Sequence, residues 1–365
     1  MRLKMNRRTF LKMTGTAVLA GALAGCGGSG SGNGGNGGNG GNGGNPGGGD
    51  GPENPGGGEE PGNPGGGEDK PGGGKKEKGY YTATTPDTQG VYWTYYYEGS
   101  GTEVSLTGYN RRKGVRPNGK VTLPSTLDGL RVTEVDSNAF DMLYKCDKNY
   151  GDPETENYTW SDFSAVTEMT VPASIRWIGQ AAFNGCVNAG VGTHRTATML
   201  KKVIFLGNVH LVFSAFYDCD KLEEVVGWEK IESPDGYLVR EGCFGNTGFQ
   251  ELTVTPNMMS FNAFADCKKL EKVTIQKGND KISSGIFSCC YALSRVYIPS
   301  TVKTIEDDAF YVYPEEDIGT KPVELTVYYG GSEAQWKNLM QKTADGNDRL
   351  KNATVRYNQS PDDMK

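Results

Sequence analysis

One frame recurs along this chain, and that recurrence constrains the fold more tightly than any other feature of it. From Val166 the apolar positions run Val166, Met169, Val171-Pro172, Ile175, Ile178, Ala182-Phe183 and Cys186. From Leu293 they run Leu293, Val296, Ile298-Pro299, Val302, Ile305 and Ala309-Phe310, with the same offsets. The frame returns at Leu270, Val273, Ile275, Ile282, Ile286-Phe287 and Cys290, and in shorter versions from Leu200 to Cys219 and from Phe249 to Cys267. A looser copy, carrying extra residues, runs from Leu222 through Val225 and Ile231 to Phe244, and an opening copy holds Val121, Leu123-Pro124, Val135 and Ala139-Phe140. A fixed period of this length is the signature of a repeat architecture.

Each copy reads as one coil: a short strand around Val-x-Ile, a turn at Pro, a return leg, and the Ala-Phe pair closing the turn. No coil of that size buries its own apolar face. Stacking places Ile on Ile and Phe on Phe, so the core forms only between neighbours and stability is a sum of nearest-neighbour contributions. Phe140, Phe183, Phe216, Phe244, Phe264, Phe287 and Phe310 therefore read as a core ladder, since periodic apolar positions face the core.

The pattern Leu-x-x-Val-x-Ile-Pro, then Ile, then Ala-Phe-x-x-Cys resembles the BspA-type branch of leucine-rich repeats, over roughly Val121 to Phe310. Gly108-Tyr109 ahead of Val121-Thr122-Leu123-Pro124 resembles the usual lead-in to such arrays, and the stretch from Val327 to Trp336 the segment that often closes them. The expected fold is mostly β: a leucine-rich-repeat solenoid of about seven coils over 121–322, with a β cap over 80–120 and a short capping helix and strand over 323–365. The resemblance implies a surface-exposed protein of host-associated bacteria, of a kind often discussed as adhesins. It names no ligand.

The ends of a solenoid expose apolar faces and need covers. Tyr92, Trp93, Tyr95, Tyr96 and Tyr97 lie close together in a stretch suited to small antiparallel strands. At the other end Ser332 with Gln335 three residues on is a capping-box signature, and Trp336, Leu339 and Met340 share one side of the helix it would start.

Residues 1–25 carry basic residues, an apolar stretch from Met13 to Leu23 and then small residues, the pattern of an export signal. Arg7-Arg8-Thr9-Phe10-Leu11-Lys12 resembles the twin-arginine motif, and Leu23-Ala24-Gly25-Cys26 the lipobox of bacterial lipoproteins, which makes Cys26 the expected acylated residue. The apolar stretch is shorter than the roughly 20 residues a membrane-spanning helix needs, so membrane attachment is expected through the lipid. The 26–79 segment, nearly all Gly, Asn and Pro with scattered charges, has almost nothing apolar to bury and reads as a disordered tether. Its span is roughly 40 Å by the square-root scaling of flexible chains.

The chain holds eight cysteines. Cys186, Cys219, Cys267 and Cys290 sit three residues after the repeat Phe and read as a structural column, whereas Cys146, Cys243 and Cys289 fall off it, and a disulfide among them stays open. There is no Cys-x-x-Cys, and only His194 and His210 offer imidazole, so neither metal nor cofactor is expected. No nucleophile and base can be assigned from sequence order, and carboxylates are too abundant to single out a pair. The expectation is a protein without catalytic residues. Nucleic acid is excluded as a partner by charge: the net charge of −6 becomes −11 once the five basic residues of the leader are removed.

Strand alternation sends one column outward at Glu168, Lys202, Glu224, Glu251, Lys272 and Arg295, and a second at Thr170, Ile204, Val226, Thr253, Thr274 and Tyr297. Mixed charges and β-branched neighbours of this kind stabilise a sheet without any ligand. The insertions from Cys146 to Ser161, Val187 to Thr198 and Tyr311 to Lys321 all follow the Ala-Phe turn and are expected at one edge, where insertions in repeat proteins gather. Tyr150, Tyr158, Trp160, Tyr311 and Tyr313 are the candidate binding residues there, aromatic anchors of the type protein interfaces favour. The function expected is adhesion or ligand capture at the cell envelope, exposed outside the cytoplasm, with a host or neighbouring-cell surface protein or glycan as partner. A carbohydrate-active enzyme and a structural spacer are the alternatives.

Overall fold

The computed structural model describes residues 76–137, 139–140, 163–185, 199–232, 241–255 and 258–365. The first strand of each coil builds parallel sheets. One sheet runs in the order Gly119–Thr122, Val166–Val171, Lys202–Phe205, Glu224–Val226, and a second in the order Glu251–Val254, Lys272–Ile275, Arg295–Ile298, Thr326–Tyr329, Thr354–Arg356. Their registers are those the frame demands: Met169 faces Val203 and Val203 faces Val225, while Leu252, Val273, Val296, Val327 and Val355 align in turn. A one-residue slip would send each of these apolar side chains to the outer face. The return legs Leu130–Val135, Trp177–Ile178, Val209–Leu211 and Ile231–Glu232 pair into another sheet, and Lys281–Ile282 with Thr304–Ile305 continue the pattern.

Between these two walls runs the Phe column. Phe140, Phe183, Phe216, Phe244, Phe264, Phe287 and Phe310 are all buried, and successive ring centroids lie 5.1, 5.3, 5.5, 6.1, 6.3 and 5.5 Å apart. Each such contact is worth about 0.5–1.5 kcal/mol beyond the apolar area it buries. The chain reaches the column by entering the left-handed region one residue ahead of the pairs that end in Phe183, Phe216, Phe244, Phe264, Phe287 and Phe310, at Ala181, Ser214, Gly242, Asn262, Gly285 and Asp308. At Gly285 that conformation has a second reason, because a Cβ there would stand 1.9 Å from Asn262 Oδ1.

The cysteine column ties one coil to the next. Cys219 Sγ donates to the Phe183 carbonyl at 3.1 Å, Cys267 Sγ to the Phe244 carbonyl at 3.4 Å, and Cys290 Sγ to the Phe264 carbonyl at 3.3 Å. In the loose copy Thr247 holds the cysteine position and closes back on the Phe244 carbonyl of its own coil. Burial pushes the Cys219 and Cys290 thiols well above their ordinary range, as expected for structural cysteines. Cys243 and Cys289 are also buried thiols, and Cys146 and Cys186 lie outside the described residues.

The parallel sheet breaks at the loose copy, between Glu224–Val226 and Glu251–Val254. Gly227, at φ 89°, passes so close to the preceding strand that a Cβ would lie 2.6 Å from the Phe205 carbonyl oxygen. The chain then turns inward, and the Trp228 indole packs 5.0 Å from Phe244, 6.1 Å from Phe249 and 6.3 Å from Phe264. By the frame, Trp228 stands where Pro172 and Pro299 stand in regular coils.

At the amino-terminal end Gly79–Thr82, Val91–Tyr97 and Glu103–Gly114 form antiparallel neighbours, and the last of them pairs in parallel with Leu130–Val135. Trp93 is buried edge-on against Phe140 at 6.2 Å, with its Nε1 donating to Asp87 Oδ2 at 2.8 Å. At the other end the helix Glu333–Met340 starts on a Ser332/Gln335 capping box and buries Trp336, 5.1 Å from Tyr329, together with Leu339. The Arg349 guanidinium donates to the carbonyls of Cys290, Leu293 and Val323, fastening the closing segment to the last coils.

One outward position differs from the strand alternation. Tyr297 is buried, because the turn Pro361–Met364 crosses the sheet and lays Met364 against Tyr297 and Tyr328, with Arg295 Nη1 donating to the Met364 carbonyl at 2.9 Å.

Candidate functional site

The outer sheet face is largely matched within itself. Lys120 pairs with Glu168 at 2.9 Å, Lys202 with Glu224 at 2.7 Å, and Lys272 with Glu251 at 3.0 Å, each across neighbouring strands. Exposed pairs of this kind contribute a few tenths to about 1 kcal/mol, so the column stabilises the sheet modestly and leaves little net charge for a ligand. A short apolar stretch interrupts it where Val226 faces Ile204, with Leu206 exposed beyond them. On the return-leg wall, Glu134, Trp177, His210 and Glu232 stand in register across four strands. The His210 ring stacks on Trp177 at 4.4 Å, and its Nδ1 donates to the Glu232 carbonyl at 3.0 Å. That bond fixes the imidazole as a member of the ladder. Among the described residues no group of three or more His, Cys, Asp or Glu side chains is placed to hold a metal ion.

The edge that follows the Ala-Phe turn is built differently. After Phe310 the chain leaves the coil, and Tyr311 and Tyr313, both half-buried, meet edge to face at 5.1 Å. Tyr291 lies under them from the preceding coil: its hydroxyl accepts from the Tyr313 amide at 3.2 Å, and its carbonyl from the Val323 amide at 3.0 Å. These bonds tie both ends of the insertion to one residue, through its hydroxyl and its carbonyl, and Val323 is 49% exposed. Between them the turn Glu315–Ile318 starts after Pro314, ends at Gly319 in the left-handed conformation, and exposes Glu315, Glu316 and Asp317. Burial first, then the charges of Cys289, Asp308 and Asp317, push the Tyr311 phenol above its ordinary range.

Of the residues singled out from sequence, Tyr311 and Tyr313 are thus brought together. Tyr150, Tyr158, Trp160, Cys26 and His194 lie outside the described residues. Tyr291 and Val323 join the cluster without having been expected. Their signal was faint: Tyr291 stands four residues after its Phe, where the Val187 insertion starts in its own coil, but carries no insertion of its own. Among the described residues no helix is long and apolar enough to cross a membrane.

Comparison with known proteins bears on the repeat itself. The BspA type leucine rich repeat region matches this chain in six copies, over residues 132–261 and 197–316, together half of its length. The opening copy at Val121 lies ahead of that match. No curated protein matches the sequence. Among solved structures, a leucine rich cell surface protein from Faecalibacterium prausnitzii A2-165 is similar at 18% identity and a TM-score of 0.37 over 79% of this chain and 56% of its own. A leucine-rich repeat protein from Bacteroides ovatus ATCC 8483 is similar at 17% identity and a TM-score of 0.40, over 69% of this chain and 66% of its own. The T. pallidum leucine rich repeat protein is similar at 18% identity and a TM-score of 0.31, over 78% of this chain and all of its own. This chain therefore spans less than two thirds of the length of the first two. With the repeat matched over half the sequence and seen in the stacked coils, the chain belongs to the BspA-type leucine-rich-repeat family.

Proposed function

We propose that this protein is a lipid-anchored surface protein that presents its solenoid for adhesion or ligand capture, binding a protein or glycan of a host or neighbouring cell without catalysing a reaction. Attachment is by acylated Cys26, and residues 26–79 tether the solenoid away from the membrane. The observation that carries the reading is the contrast between two surfaces of one solenoid. The sheet face neutralises its own charges, whereas the insertion edge exposes an aromatic pair beside carboxylates. Half-buried tyrosines in mutual contact, one with its backbone held by the Tyr291 hydroxyl, lose little entropy on contact, which is what an interface anchor requires. Tyr150, Tyr158 and Trp160 belong to an insertion at the same point of the coil and are assigned to the same edge.

The test is binding of the full-length protein to arrayed matrix proteins and glycans, with glycan hydrolysis followed in parallel. Saturable binding without turnover, lost when Tyr150, Tyr158, Trp160, Tyr311 and Tyr313 are all changed to Ser, supports the reading. Turnover moves it to a carbohydrate-active enzyme, and silence across the array to a structural spacer. Anchoring is tested separately by palmitate labelling, which Cys26→Ser must abolish.

A further inference from the structure

Several carboxylates on the walls have basic partners: Glu168, Glu224 and Glu251 on the sheet face, and Glu306 with Lys281 at 3.1 Å on a return leg. The turn Glu315–Ile318 has none. Its three acidic residues are exposed, no basic residue follows in its last turn, and among the described residues none of the three forms an ion pair. A helix of one turn has too small a dipole to offset three charges at its start.

Next to these charges in the chain lies apolar surface. Tyr311 and Tyr313 present half-buried rings in mutual contact, Val323 is nearly half exposed, and Tyr291 bonds to the amides of both Tyr313 and Val323. Burial, and after it Cys289, Asp308 and Asp317, raise the Tyr311 phenol, so Asp317 of the turn lies within electrostatic reach of the ring. Ring surface next to unpaired carboxylates matches one side-chain chemistry: a long aliphatic stem carrying a cationic head, which lies along rings and delivers its charge at their margin. A neutral sugar would leave the carboxylates unanswered, and an acidic one would be repelled.

We infer that the Tyr311–Tyr313 edge, followed directly by the exposed Glu315, Glu316 and Asp317, docks a Lys- or Arg-bearing segment of a partner protein. This rests on the proposed role of the edge as a binding surface and adds to it the chemical class of the partner.

The experiment is fluorescence anisotropy of the full-length protein with a labelled Gly-Ser-Lys-Gly-Arg-Gly-Lys-Ser-Gly peptide, and with the same peptide carrying Gln at each basic position. Three variants are compared: Glu315→Gln/Glu316→Gln/Asp317→Asn, Tyr311→Ser/Tyr313→Ser, and Glu251→Gln as a control at a carboxylate paired on the sheet. Matched melting curves establish that all are folded. The expected result is binding of the basic peptide alone, weakened about tenfold and made less sensitive to salt by the triple neutralisation, weakened also by the tyrosine pair and unchanged by Glu251→Gln. Wild-type binding in the triple variant, or equal binding of the Gln peptide, overturns the inference. If the tyrosine variant loses an arrayed partner that the triple variant keeps, the binding edge stands and its cationic specificity falls. If neither variant loses a partner that the wild type binds, both fall.

Discussion

Asn246 Nδ2 donates to Asp218 Oδ1 at 2.8 Å, and the two residues occupy the same left-handed position in successive coils, two places after the ladder phenylalanine. Asp266 holds that position in the next coil. The short polar side chains that tolerate left-handed backbone thus stack as the phenylalanines do, but with carboxylates in the stack.

Burial pushes the Asp218 carboxyl up to about 6 from its ordinary 3.8, opposed by the Asn246 hydrogen bond and the Lys268 charge and aided by Asp266 and Asp220. Because the folded value lies above the unfolded one, the stability this group contributes is complete below pH ~4 and lost as the pH rises through ~6. Two units correspond to roughly 2–3 kcal/mol. Asp218→Asn is therefore expected to raise stability at pH 7.5 and to flatten the change between pH 4.5 and 7.5, read from urea midpoints. An Asp218→Asn protein whose midpoint follows the wild type at both ends of that range would contradict the assignment.

The ladder predicts a steep dependence on position. Phe264→Ala removes a ring that touches both neighbours in the column as well as Trp228 and Phe249, and should cost about 3–5 kcal/mol in global stability. Phe261, three residues earlier and 45% exposed, should lose less than about 0.5 kcal/mol on change to Ser. Equal costs for the two in denaturant titrations would refute the ladder.

Gly242 and Gly285 hold equivalent turns at φ 62°, yet their surroundings differ. An added Cβ meets Ser214 Oγ at 3.3 Å in the first case and Asn262 Oδ1 at 1.9 Å in the second. Both alanine variants should lose about 1 kcal/mol to the backbone, and Gly285→Ala roughly a further 1 kcal/mol to displacement of the Asn262 amide. The order of their melting temperatures is the check.

The cysteine column should be chemically silent in the folded protein. Cys219, Cys267 and Cys290 are fully buried and donate to backbone carbonyls, so iodoacetamide should modify them only after unfolding, as mass spectrometry of tryptic peptides would show. Fast native labelling at Cys219 would mean that its coil opens locally.

The repeat is legible in the sequence because its signal is local and multiplied. Val, Ile and Phe recur at offsets a solenoid imposes, and each coil repeats the statement of the one before, so Phe216 on Phe183 follows from spacing alone. The Ser332/Gln335 capping box was readable for the same reason, since it involves residues three apart. Contacts between distant stretches were not. Tyr297 reads as outward by strand alternation and is buried because Met364, 67 residues later, lies across it. Tyr291 supports Tyr313 from one coil away, and Trp228 packs on Phe244 where the parallel sheet breaks, at a place the sequence shows only as a loosened frame. Periodicity specifies which residues stack, because stacking repeats with the chain. Insertions, end segments and a single oversized ring obey no period, and their places are settled by which apolar surface lies within reach once the coils have formed.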